Sequence, residues 1–147
     1  LSLSAKNIFD KAGQERLVKA IGAAEKATSG EIRVHVEDYS RADVLARTRY
    51  LFTRMGMHRT VARNGVLIYV AVKDHQVAIF GDEGIDAVVE PDFWEAEIAL
   101  LISHFKKDDY LGGLELAIQK VGEKLKVHFP HLGESDQNEL SDEISMG

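Results

Sequence analysis

The run VLIYVAV, Val66 to Val72, restricts this chain more than any other stretch. A strand with one buried face alternates apolar and polar residues, whereas a strand that is apolar throughout must be covered on both faces. This run therefore belongs in the centre of a sheet with helices above and below. Asn64-Gly65 supplies a turn before it, and Lys73-Asp74-His75 is a short connection into Val77 to Phe80. The two strands read as a hairpin.

The remaining periodicities supply the covering layers. Asp10 is a plausible cap for a helix to Thr28, with Leu17, Ile21, Ala24 and Thr28 at three-and-four spacing. Ser29-Gly30 ends it. From Glu31 to Glu37, Ile32, Val34 and Val36 alternate with Arg33, His35 and Glu37, as in a strand with one buried face. That pattern predicts an edge strand with His35 exposed. Asp43 caps a second helix carrying Val44, Thr48, Leu51, Phe52 and Met55 inward. Pro91 opens a third, with Trp94, Ile98, Leu101, Ile102 and Phe105 on one side, and Leu114, Ile118, Val121, Leu125 and Phe129 mark a last helix stopped by Pro130. The first two strands, joined by a helix, form a right-handed parallel crossover. The expected fold class is α/β: a three-layer α/β/α sandwich, Rossmann-like, around a small mixed sheet.

At 147 residues the chain is one domain's worth of core. It has no cysteine, which excludes disulfides, a thiol nucleophile and thiolate metal sites. No apolar run reaches the roughly 18 residues of a membrane span. The N-terminal stretch lacks the pattern of a signal peptide, although a trimmed leader is compatible with a chain beginning at Leu1. The net charge of −6 is concentrated in residues 131–147, where Glu134, Asp136, Glu139, Asp142 and Glu143 face no lysine or arginine. We expect a domain over residues 1–130 and an acidic, disordered tail over 131–147. No strongly basic face is implied, so nucleic acid is not an expected partner.

Phosphate-loop, dinucleotide, zinc-protease, nucleophile-elbow and complete calcium-loop signatures are missing. His128 and His131 are three apart, but Pro130 breaks the helix that would align them for zinc, and solvated histidines are the simpler reading. Arg41, Arg47, Arg49, Arg54, Arg59 and Arg63 crowd the second helix and its exit, as a solvated face or as an anion-binding surface.

The carboxylates say more. Parallel first and second strands put Glu37, Asp38 and Asp74 at one edge of the sheet. A helix from Pro91 to Phe105, about 22 Å long at 1.5 Å per residue, returns the chain to that edge. It delivers Asp108 and Asp109 of FKKDDYLGG beside Glu37 and Asp38. Ligands of open α/β sheets favour that crevice, and converging carboxylates repel one another unless a cation binds. Oxygen ligands alone suit calcium, or magnesium, over zinc. The plainer reading leaves Asp108 and Asp109 as caps of the last helix. A second, weaker cluster is Asp82, Glu83 and Asp86 in GDEGID.

The stretches TSGEIRVHVE, RNGVLIYVAVKDHQVAIFGDEGID and PDFWEAEIALLISHFKKDDYLGGLELAIQKVGEKL, with the helix between the first two, resemble in that order the TPM domain family. The family takes its name from thylakoid acid phosphatase, photosystem II repair and acetylcholine-receptor auxiliary proteins. The resemblance covers roughly residues 8–130. It implies a Rossmann-like α/β/α domain, divalent cation binding (chiefly Ca2+) in an acidic crevice, and, for plant members, acid phosphatase activity. The family's Gly-Asp-Tyr maps onto Asp108, Asp109 and Tyr110, with aspartate in place of glycine at 108, and Gly113 follows. The resemblance is to the soluble, cytoplasmic bacterial branch. The expected function is a divalent cation-binding module acting through an unidentified protein partner; the alternative is a weak metal-dependent acid phosphatase. Phosphatase chemistry needs a nucleophile or a metal-activated water, and the sequence identifies no catalytic residue.

Overall fold

The computed structural model describes residues 4–131 and 144–147. The chain opens with α1 (Ala5–Ile8), α2 (Lys11–Glu25), β1 (Glu31–Glu37), α3 (Val44–Arg54), a 3-10 turn at Met57–Arg59, and β2 (Gly65–Ala71). They are followed by β3 (Gln76–Gly81), α4 (Glu83–Asp86), α5 (Phe93–Phe105), α6 (Tyr110–His128) and β4 (Ser145–Met146). The strand order is β3-β2-β1-β4, with β1 parallel to both β2 and β4, and β3 antiparallel to β2. This is the expected α/β/α sandwich around a mixed sheet.

β2 is interior, and every one of its residues is buried. Val66, Ile68 and Val70 pack with β1's Ile32, Val34 and Val36 against Leu17 and Ile21 of α2 and Leu114, Ile118, Val121 and Leu125 of α6. Leu67, Tyr69 and Ala71 face the other way, onto Leu51 and Phe52 of α3 and Met57. The double-sided apolar run is thus required by two separate cores.

The helix ends follow local chemistry. Asp10 accepts from the Gly13 N–H and Asp43 from the Ala46 N–H, so both predicted caps form. Asp109, rather than Asp108, caps α6 by accepting from the Gly112 N–H at 3.1 Å. α2 stops before Thr28, which instead forms a bridge with Pro130.

Two expectations are corrected. β1 is not an edge along its whole length, because β4 pairs with His35 and Val36. Its alternate face is not solvated either: His35 and Glu37 are buried, under Arg47 of α3 and beside Tyr69. The predicted disordered tail lies mostly at residues 132–143, outside the described residues. Ile144 to Gly147 differ from that expectation by lying against β1.

Candidate functional site

The crevice at the carboxyl ends of β1 and β2 is built by their own loops. Asp38 follows β1, and its carbonyl accepts from the N–H groups of Lys73 at 2.8 Å and Asp74 at 3.3 Å. The Asp74 carboxylate returns the contact by accepting from the Ser40 N–H at 2.7 Å. Asp38 Oδ1 accepts from the Ala5 N–H at 2.7 Å, which ties α1 to the crevice.

The α5–α6 turn arrives at the same edge. Phe105, Lys106 and Tyr110 line, with Val72, Val77 and Ile102, an apolar cleft of about 290 Å3 beside the β2–β3 turn. Tyr110 is buried and stacks on Phe105 with ring centroids 4.6 Å apart. Asp108 takes a left-handed backbone, φ 57°, and its side chain is exposed. Asp109 Oδ2 lies 2.8 Å from His104 Nδ1. That hydrogen bond holds the Asp109 carboxyl below its usual range, with the Gly112 N–H helping against a small desolvation.

Glu37 has a different fate. Oε1 accepts from Arg47 at 2.9 Å, with His35 Nε2 at 3.3 Å, while Oε2 accepts from Arg47 Nε at 3.0 Å and from the Tyr69 hydroxyl. Burial alone would push this carboxyl up; bonds from Arg47, Tyr69 and His35 outweigh it and hold it at about 2. Burial raises the Tyr69 hydroxyl and lowers His35, whose bond to Glu37 opposes the shift. The His35 ring stacks on Tyr69, 5.9 Å between centroids and 7° apart. Both oxygens of Glu37 are therefore committed to donors from the protein itself.

The weaker cluster is committed in the same way. Asp82 caps α4 and takes Arg63 in a two-point pair, at 2.7 and 3.0 Å. Glu83 adds a contact to Arg63 at 3.2 Å, and Asp86 accepts from the Trp94 indole at 2.9 Å. Among the described residues, no three His, Cys, Asp or Glu side chains are grouped to hold a metal ion. A cage of four protein carboxylates thus does not fit this arrangement. Asp108 is exposed, and Asp38 has its second oxygen outside the bond to Ala5.

Sequence reasoning missed Arg47 and Tyr69 as the partners of Glu37, and Arg63 as the partner of Asp82 at the opposite edge of the sheet. The signal for Tyr69 was present: a phenol in a fully buried strand needs a polar partner. Arg47 and Arg63 were read only as members of a charged run.

The family described as the TPM domain matches residues 3–124. The chain is similar to the BA42 protein of the psychrophilic bacterium Bizionia argentinensis, solved by NMR. The identity is 43%, the coverage 92% of this chain and 93% of that one, and the TM-score 0.85. An N-terminal domain of a P. gingivalis protein is 18% identical, covers 85% and 81%, and has a TM-score of 0.69. The N-terminal domain of the cg2496 protein of Corynebacterium glutamicum is 14% identical, covers 79% and 73%, and scores 0.63. These last two likenesses show the fold alone. No curated protein matches the chain. No helix among the described residues is long and apolar enough to cross a membrane.

Proposed function

The chain belongs to the TPM-domain family, and from that premise we propose that it is a binding module that takes up a divalent cation weakly at the β1–β2 crevice and works through a protein partner. The observation that supports this reading is the division of labour among the acids. Glu37 and Asp82 are buried and paired with Arg47 and Arg63, whereas Asp108 and Asp109, on the α5–α6 turn, have exposed side chains. Calcium, or magnesium, keeps most of its water there and draws on one or two carboxylates from among Asp108, Asp109 and Asp38.

Millimolar calcium, followed by backbone amide shifts, tests the proposal. Shifts centred on Asp38, Asp108 and Asp109, with Glu37 and Asp82 unmoved, are the expected result. Unmoved amides at all three positions reject it.

A weak metal-dependent phosphatase would need a water or side chain poised for attack and an acid for the leaving group. Glu37 is bound to Arg47, and Asp109 to His104. We expect a generic phosphate ester to be hydrolysed no faster with protein and calcium or magnesium than with metal alone. Turnover that Asp109→Asn abolishes would replace the binding reading with the enzymatic one.

A further inference from the structure

The outer edge of β1 is divided. Near its start, the Ile32 N–H is taken by the Glu25 carboxylate at 2.8 Å, which closes that part of the edge to another strand. Farther along, His35 and Val36 pair with Ser145 and Met146, and the Gly147 N–H donates to the Val36 carbonyl at 3.0 Å. The segment Ile144–Gly147 alternates as a strand should. Ile144 is buried in the core, lining a hollow with Gln14 and Val18 of α2, and the Met146 sulfur lies 3.4 Å from Gln14 Nε2. On the opposite face Ser145 Oγ is 2.9 Å from His35 Nδ1. Gly147 lies over Glu37 and His35 so closely that a Cβ there would run into Glu37 Oε1 and stand 2.9 Å from His35 Nε2.

Each position thus has its own requirement: an apolar anchor, a small hydroxyl for His35, a second apolar side chain, and no side chain above Glu37. The Glu37–Arg47–Tyr69 network and His35 fix the floor on which the second and fourth requirements rest. A two-residue strand is far shorter than the usual ~5–6 residues, so its hold owes much to being tethered to the same chain.

We propose that the Val34–Val36 edge of β1 is a recognition site for an extended segment of a partner protein. That segment runs parallel to β1, with the pattern apolar, small hydroxyl, apolar, glycine. The chain's own Ile144–Gly147 occupies the site until such a partner displaces it. Main-chain pairing supplies the affinity and the alternate side chains the selectivity, as in other strand-addition interfaces. The proposal names the partner class of the binding module and rests on that reading, but it does not depend on the cation.

The test uses the full chain carrying Ile144→Asp and Gly147→Val, which removes the anchor and places a side chain over Glu37. The probe is a synthetic peptide with the sequence of residues 142–147, and the readout is the amide shifts of Val34, His35 and Val36. The variant should shift these amides, and saturating peptide should return them toward their original positions. A control peptide with valine for its last glycine should bind at least about tenfold more weakly, and the unaltered chain should respond to neither peptide at the same concentrations. Unshifted β1 amides in the variant, no peptide binding, or equal binding of the two peptides would each overturn the proposal. Ser145→Val in the full chain, a milder change, gives the same readout should the double variant not fold. Calcium added to the same samples reports separately on Asp108 and Asp109, so loss of the strand site and loss of the cation site are told apart.

Discussion

At the scale of single residues, Glu37 shows what the buried face of β1 is for. Its carboxyl sits at about 2 against an ordinary 4.5. A carboxyl lowered on folding stabilises the protein above its unfolded range, and that stabilisation drains away as pH falls from about 5 toward 2. Arg47→Met removes the strongest opponent of burial and leaves a charge enclosed. We expect a loss of about 2 kcal/mol at pH 7, at the low end for a broken buried pair because Arg47 is partly exposed. The variant's Glu37 should titrate upward, so the gap between urea unfolding curves of the two proteins should shrink as pH falls below about 5 and close toward about pH 2. Asp108 is the converse case, a residue whose place is set by backbone. Its left-handed φ suits glycine, and aspartate tolerates it. Asp108→Gly should leave stability within about 0.5 kcal/mol while weakening calcium-induced shifts at Asp109; Asp108→Val should lose about 1–2 kcal/mol. Chemical denaturation with a calcium titration separates the two effects.

At the scale of elements, the α5–α6 pair carries a cost the sequence did not announce. Glu97 is buried, and one of its carboxylate oxygens has no hydrogen-bond partner among the described residues. Burial raises its pKa, Lys120 opposes this and Glu123 adds to it. A carboxyl raised on folding favours the folded state at low pH and penalises it as pH climbs past the ordinary carboxylate range, the reverse of Glu37. Glu97→Gln should therefore stabilise by about 1 kcal/mol at pH 7 and by little near pH 4, measured by urea midpoints at the two values. The same pair shows where sequence reading succeeds and stops. The stripes Leu114, Ile118, Val121, Leu125 and the double-sided run of β2 specify burial through local periodicity, so helix, hairpin and central strand were legible. Arg33, His35 and Glu37 have the same alternation whether water or a distant arginine covers them. β4 was illegible because a two-residue strand has no period.

At the scale of the whole molecule, the sheet is closed on one side by a strand from the far end of the chain. Ile144 is the only apolar side chain of Ile144–Gly147 that enters the core cluster. Ile144→Ala should cost about 2 kcal/mol and lower Tm by roughly 4–8 °C, followed by calorimetry, while the β2–β3 hairpin keeps its amide shifts. That β1, β2 and the α5–α6 turn share one edge was legible because topology alone sends them there. That Glu37 there was already spent was not, since Arg47 meets it only in three dimensions.

His35 and Ser145 stand 110 positions apart. A ribosome adding roughly 5–20 residues per second completes β1 about 5–20 seconds before it adds Ser145. Until Ser145 and Met146 reach the folding domain, His35 and Val36 lack the pairing those residues supply at the outer edge of β1. Whatever strand is nearby at that moment meets no tethered competitor, so the window for capture by a partner is widest while the protein is still being made.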